Sequence, residues 1–191
     1  MRAEAGFLYA LTLGAFGGLA LTWFVVGENF DIGSLQIGPW TAWPLADAQD
    51  ANRYSRARIA RSGELPLASG EGIAFVALHD SAGAPLDGRC DYRISPILPP
   101  ARWWTLTLYD GAGRLASNAA ERNGFSSAEI LRDTADEATV TTGPQALAGN
   151  WLPTTSGPFS LTLRLYDSPI STGLGTKDTV PLPAIERGKC Q

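Results

Sequence analysis

Among its 191 residues the chain has one histidine, His79, and two cysteines, Cys90 and Cys190. A zinc centre draws three or four ligands from His, Cys and carboxylates, so this inventory leaves none to build. A Ser-His-Asp triad would have to rest on His79 alone, and no G-x-S-x-G elbow accompanies it. Neither G-x-x-x-x-G-K-[ST] nor G-x-G-x-x-G occurs, which leaves nucleotide binding without support. Positive charge is scarce too. Lys and Arg number 15 against 19 Asp and Glu, a formal net charge of -4, so the basic surface that displaces counterions from nucleic acid is missing. Loop carboxylates such as Asp80, Asp87 and Asp91 could meet around a calcium ion, but they do not fall at EF-hand spacing, and turn formation is the simpler role. The expectation is no metal, no cofactor and no nucleic-acid partner.

Charge is absent altogether from Gly6 to Val26, GFLYALTLGAFGGLALTWFVV. Twenty-one helical residues span roughly 31 Å, the thickness of a hydrocarbon core. Trp23 and Phe24 stand where aromatic rings favour the interface, Arg2 precedes the segment, and Glu28 and Asp31 follow it. The positive-inside rule then leaves residues 1–5 as a cytoplasmic tail and puts everything after Val26 outside. A cleaved signal peptide is the competing reading, although its apolar region would be long and no small-x-small cleavage site precedes Gly27. A buried core helix would show a polar stripe, and none interrupts this run.

The two cysteines fit an exported domain. An oxidising compartment permits a Cys90–Cys190 bond, which would close about 100 residues and contribute up to about 4.7 kcal/mol on the loop-entropy model. The other reading is two free thiols. Hydrophobic residues at 45% and charged residues at 18% describe a chain able to bury a core, and 21 Gly with 13 Pro suit many turns between short strands.

Residues 27–45 read as a linker with a first strand or extended arm, and 46–191 as one domain. Asp47 or Asp50 can cap a helix to about Arg61, with Gly63 as its stop. It carries Arg53, Arg56, Arg58 and Arg61, either a basic patch for an anionic lipid or polymer or simply a solvated face. Gly72–His79 and Cys90–Ser95 read as strands around the turn chemistry of 80–88. In Arg102–Tyr109, Trp104, Leu106 and Leu108 face one side while Trp103, Thr105, Thr107 and Tyr109 face the other. Asp110–Gly113 predicts a hairpin turn into Arg114–Ser117. Ser126 and Glu129 form a capping box for a short helix ending near Arg132. Glu137–Thr142 and Phe159–Tyr166 complete the strands, the latter with Phe159, Leu161, Leu163 and Leu165 on its core face. Thr105–Asp110 and Thr162–Asp167 share the pattern T-L-x-L-Y-D. The predicted fold is mainly β, an antiparallel sandwich of jelly-roll type with one or two short helices behind a single N-terminal transmembrane helix.

The stretch Pro99-Pro100-Ala101-Arg102-Trp103-Trp104-Thr105-Leu106-Thr107-Leu108-Tyr109-Asp110 resembles the domain-of-unknown-function 1214 family. So do Arg56-Ala57, Gly83, Leu86, Gly88 and Tyr92 upstream. Downstream, Asn118, Asn150-Trp151-Leu152-Pro153 and Leu163-Arg164-Leu165-Tyr166 continue the match. The resemblance covers roughly residues 50 to 187. It implies a jelly-roll sandwich in bacterial envelope or secreted proteins, with a second domain preceding it in many relatives. Here a membrane helix stands in that place, so a separate chain or another envelope protein becomes a candidate partner. No settled reaction comes with the resemblance.

For function, the aromatic set is the most suggestive. Arg102, Trp103, Tyr109, Asn150, Trp151, Arg164 and Tyr166 could line one sheet, and aromatic faces beside planar donors suit a sugar or another small ligand. Against that, Trp104 and Trp151 could be core packing, and Arg164 could pair with an internal carboxylate. Asp110, Glu121, Glu129 and Asp167 are the candidates for a glycan-hydrolysing pair. The reading is an anchored module in the bacterial inner membrane, its domain in the periplasm, binding a small ligand, a glycan or a partner protein. It leans away from enzyme. A glycan hydrolase and a structural subunit of an envelope assembly are the alternatives.

Overall fold

A computed structural model describes residues 2–26, 34–44, 53–62, 67–68, 70–97, 101–133, 136–169 and 181–191. Glu28, Asp31, Asp47, Asp50, Gly63 and the Pro99-Pro100 pair lie outside the described residues. Helix α1 (Arg2–Val26) leads the chain. Its segment Glu4–Phe24 is long and apolar enough to cross a membrane, with a mean hydropathy of 1.6 and none of it buried. Helix α2 (Arg53–Ser62) follows where a basic helix is predicted, and Arg53 and Arg56 are exposed on it.

The rest is strand. The first sheet holds β1 (Leu35–Ile37), β2 (Trp40–Ala42), β3 (Gly72–Ala77), β5 (Trp103–Asp110), β6 (Gly124–Ser126) and β9 (Phe159–Tyr166), in the order β1-β2-β3-β9-β5-β6. The second holds β4 (Cys90–Ser95), β7 (Val140–Gly143), β8 (Asn150–Pro153) and β10 (Ala184–Cys190), in the order β10-β4-β7-β8. Every pairing is antiparallel except β7 with β8. The chain passes between sheets after β3, β4, β6, β8 and β9, so the two sheets interleave in a β-sandwich.

Alternation fixes which side of each strand is buried. Phe159, Leu161, Leu163 and Leu165 of β9 and Trp104, Leu106 and Leu108 of β5 all point inward. They form one core cluster with Ile73, Phe75 and Ala77 of β3 and with Cys90, Tyr92, Ile94, Val140, Leu152 and Ile185 of the facing sheet. The predicted inner faces of β5 and β9 are the observed ones.

Four elements differ from expectation. Residues 35–42 form a hairpin joined to β3, so part of the predicted linker belongs to the first sheet, and the indole of Trp40 donates to the Pro183 carbonyl at 2.7 Å. Arg114–Ser117 gives a single bridge, Tyr109 with Leu115, in place of a strand. The Asn118 amide donates to the carbonyls of Ala116 and Arg122, which turns the chain so that Gly124–Ser126 takes the place beside β5. The short helix from Ser126 to Arg132 is absent as well. Asn150 accepts from the Leu131 amide and donates to the Leu131 carbonyl, both at 2.8 Å, so those groups are unavailable to a helical ladder. The edge strand β10 is one the sequence reading did not anticipate. Its exposed Glu186, Arg187 and Lys189 are edge-strand chemistry, and Cys190 bonds Cys90 directly across from it on β4.

That bond closes a separation of 100 residues. Replacing both cysteines by alanine should lower the unfolding free energy by about 2–5 kcal/mol. Chemical denaturation measures this, and a loss below about 1 kcal/mol would mean that β10 is held by its other contacts alone. A second outcome concerns Thr142, fully buried on β7, whose hydroxyl finds no partner among the described residues. Thr142→Val should raise stability by about 1 kcal/mol, because the methyl removes an unpaid desolvation cost.

Candidate functional site

Strands β5 and β9 lie side by side at full length, in register from Trp103 opposite Tyr166 to Asp110 opposite Phe159. With the leucines inward, Trp103, Thr105, Thr107 and Tyr109 share the outer face with Tyr166, Arg164, Thr162 and Ser160. Arg164 stands opposite Thr105, yet its Nη1 donates to the Tyr109 hydroxyl at 3.2 Å, four residues further along β5. The arginine therefore lies flat along the sheet, over the row of Thr107 and Thr162, which explains why Thr162 is only 6% exposed on an outward face. Its guanidinium carbon is 6.0 Å from the Tyr109 ring centroid, within cation–π range. Among the described residues the partner of Arg164 is thus a phenol and not a carboxylate.

At the opposite end of this face Trp103 is 42% exposed beside the half-buried Tyr166. Arg102 and Asp167 flank them as an ion pair at 3.7 Å, highly exposed on both sides, which contributes about 0–1 kcal/mol. Gly72 of β3 pairs with Tyr166 from the other side. A Cβ there would lie 2.3 Å from the Leu165 carbonyl oxygen, so only glycine lets β3 close on β9 at this point. Arg102, Trp103, Tyr109, Arg164 and Tyr166 accordingly lie along one sheet face, with Trp103 and Tyr109 at its two ends, about 20 Å apart by strand rise.

Asn150 and Trp151 are elsewhere, on β8 of the second sheet. Asn150 is 7% exposed and spends its amide on the Leu131 and Thr139 carbonyls and its carbonyl oxygen on the Leu131 amide. It clamps the chain around Leu131 to the sheet. Trp151 is half-buried on the outer side of β8 and donates its indole N–H to the Gly143 carbonyl at 3.1 Å.

The carboxylates scatter. Because β5 and β9 are antiparallel, Asp110 and Asp167 end up at opposite ends of the ladder, about 25 Å apart by strand rise, whereas paired glycosidase carboxylates stand about 5–9.5 Å apart. Asp110 accepts from the backbone of Ala112 and Arg114. The Arg114 amide, with help from its guanidinium, holds the Asp110 carboxyl below its ordinary range. Glu129 accepts from the Ser126 hydroxyl, and Glu121 is exposed in a loop. Among the described residues no three His, Cys, Asp or Glu side chains gather closely enough to hold a metal ion.

Sequence reasoning missed a charged network between Asp80 and Arg89. Asp80 is 3% exposed; it accepts from the amides of Ala82 and Ala84 and pairs with Arg187 Nε at 3.0 Å. Arg187 also bonds the Pro85 carbonyl, and its guanidinium carbon lies 5.4 Å from the Tyr92 ring centroid. The Tyr92 hydroxyl accepts the Asp87 amide, and Arg89 holds the Asp87 carboxylate in a fork. The turn residues of 80–88 were legible in the sequence, but the partner at Arg187, some 100 residues away, carries no local signal.

The matching family, described as a protein of unknown function (DUF1214), covers residues 71–170, more than half of the chain. No curated protein matches. Among solved structures, the VPA0106 protein from Vibrio parahaemolyticus is similar at 24% identity with a TM-score of 0.57, over 73% of this chain and 36% of that one. An uncharacterized protein from Burkholderia cenocepacia is similar at 14% identity with a TM-score of 0.45, over 95% of this chain and 51% of that one. The chain spans about a third of the length of the first and half of the second. The first likeness is one of fold.

The Arg89 side chain, followed by its backbone amide, lowers the Asp87 pKa from 3.8 to about 2. A carboxylate with a depressed folded-state pKa contributes stability above its unfolded value and loses it as pH falls through the folded one. In denaturation from pH 5 to pH 2, the stability difference between the protein and Asp87→Asn should hold constant down to about pH 4 and shrink towards about pH 2. A difference independent of pH would mean the ion pair adds nothing to folding.

Proposed function

The chain belongs to the DUF1214 family, and from that premise we propose that it is a membrane-anchored module of the bacterial cell envelope that binds a small polar ligand, a glycan in the first instance, on the outer face of its larger sheet. The observation that carries this reading is the exposed Trp103 beside Tyr166, at the end of a face where Arg164 lies flat among threonines. An exposed indole beside a phenol offers a flat apolar surface for stacking, and sugar rings combine an apolar face with hydroxyls that threonine and arginine can meet.

Placement in the inner membrane with the domain in the periplasm rests on an apolar helix that is free of charge from Gly6 to Val26, with Arg2 ahead of that run, and on a disulfide that an oxidising compartment sustains. A partner chain or another envelope protein belongs to the same proposal. The distance between Asp110 and Asp167 speaks against a hydrolase built on that pair.

Two measurements test the proposal. A C-terminal reporter active only outside the cytoplasm should be active in the membrane fraction of cells expressing the full chain. Purified full-length protein titrated with cellohexaose and chitohexaose should bind at least one. Trp103→Ala and Arg164→Ala should each weaken that binding by about tenfold, in line with a stacking contribution near 1–1.5 kcal/mol. Binding that survives both substitutions would move the site off this face, and no saccharide binding at all would sink the glycan reading.

A further inference from the structure

A cleft of about 510 Å³ opens between the 85–89 turn, the 156–158 bend and Arg187 of β10, with Pro85, Asp87, Arg89, Gly157, Pro158 and Arg187 among the residues on its walls. Its size falls within the range of small-molecule sites. The walls are fixed. Gly88 donates to the Gly157 carbonyl at 2.7 Å, Thr154 donates its hydroxyl proton to the Gly88 carbonyl at 2.7 Å, and Asp87 bridges Pro158. Arg89 adjoins Cys90, Arg187 lies on the same strand as Cys190, and the disulfide joins the two. A ligand entering such a cleft does not have to order it.

The two guanidinium groups are used on one edge only. Arg89 spends Nε and Nη2 on the Asp87 carboxylate. Arg187 spends Nε on Asp80 and Nη2 on the Pro85 carbonyl. In both, the opposite edge, made by Nη1 and the second Nη2 hydrogen, has no partner among the described residues. Such an edge matches the two oxygens of a carboxylate. Charge narrows the choice. Two guanidinium groups face two carboxylates, Asp80 and Asp87, so there is no surplus to hold a polyphosphate, while the exposed rings of Pro85 and Pro158 offer an apolar rest.

We infer that this cleft binds a monocarboxylate with a short apolar body, its two oxygens taken by the free guanidinium edge of Arg89, its charge also met by Arg187, and its body resting on Pro85 and Pro158. A small free acid and the carboxyl terminus of a peptide share that chemistry.

Calorimetric titration of the full-length protein in detergent tests the inference with three probes: N-acetyl-alanyl-alanine, its carboxamide, and propionate. The acid form of the dipeptide should bind, and the carboxamide should bind about tenfold more weakly or not at all, because it loses the charge and the second acceptor oxygen that the Arg89 fork reads. Arg89 is 63% exposed, so Arg89→Gln should keep the fold and weaken the acid by about tenfold, and Arg89→Lys should not restore it, since lysine lacks the fork. Trp103→Ala should leave this binding unchanged. Propionate binding as well as the dipeptide would assign the cleft to small acids, and dipeptide binding alone to chain ends. The inference fails if neither acid binds, if acid and amide bind alike, if Arg89→Gln binds as the unaltered protein does, or if Trp103→Ala abolishes binding.

Discussion

The antiparallel ladder between β5 and β9 is the constraint on which the rest of the structure depends. Both strands alternate with period two, and their register sets leucine against leucine on one side and Trp103, Thr105, Thr107 and Tyr109 against Tyr166, Arg164, Thr162 and Ser160 on the other. A slip by one residue would turn Leu161, Leu163 and Leu165 to water and drive Arg164 into the core. The burial of those leucines therefore also holds the outer face in place. The shared T-L-x-L-Y-D pattern is the trace of this double duty, and because the strands run in opposite directions its two aspartates are carried to opposite ends of the sheet.

The second sheet solves a different problem, how to hold the end of the chain. Strand β10 is an edge with only β4 as a neighbour, and most of its residues are exposed. Three contacts of different kinds tie it down: the disulfide at Cys190, the Asp80–Arg187 pair, and the Trp40 bond to Pro183 just before it. The ion pair is the one whose halves depend on each other. Asp80 is out of water, so losing Arg187 would strand a buried carboxylate at a cost of about 3–5 kcal/mol, more than the pair itself contributes. Strand β10 and the 80–88 turn accordingly stand or fall together.

How much of this the sequence carried depends on the range of the interaction that decides each element. The strands β4, β5 and β9 were legible because period-two alternation is local, and the inner faces followed with them. The Arg114–Ser117 strand and the Ser126–Arg132 helix were misread because the deciding groups act from elsewhere: Asn118 turns the chain, and Asn150 captures the backbone of Leu131 from 19 residues away. A first strand or extended arm was read within 27–45, but strands of three residues leave too little periodicity to show the hairpin at Leu35–Ala42, and β10 escaped because its seven residues are mostly exposed and show no alternation. For the site, the outer face of β5 and β9 could be read from alternation, which grouped Trp103, Tyr109, Arg164 and Tyr166. That Asn150 and Trp151 lie on the other sheet is a matter of topology.

Hydrogen-bond capacity then separates structural polar residues from those free to meet a ligand. Asn150 has both amide hydrogens and its carbonyl oxygen engaged, so a ligand would have to break the clamp on Leu131 before it gained a bond. Trp151 has its one donor committed to Gly143. Arg164 is different: its Tyr109 bond uses one of five donors, and the guanidinium carbon stays 6.0 Å from the Tyr109 ring centroid. Arg89 and Arg187 present the sharper case, each with one edge pinned and the other open. Pinning lowers the entropy lost when the open edge is used, because the side chain is already held in place. An arginine anchored by its own carboxylate is a weaker cation but a better-placed fork, and that exchange favours a ligand recognised by geometry over one recognised by charge.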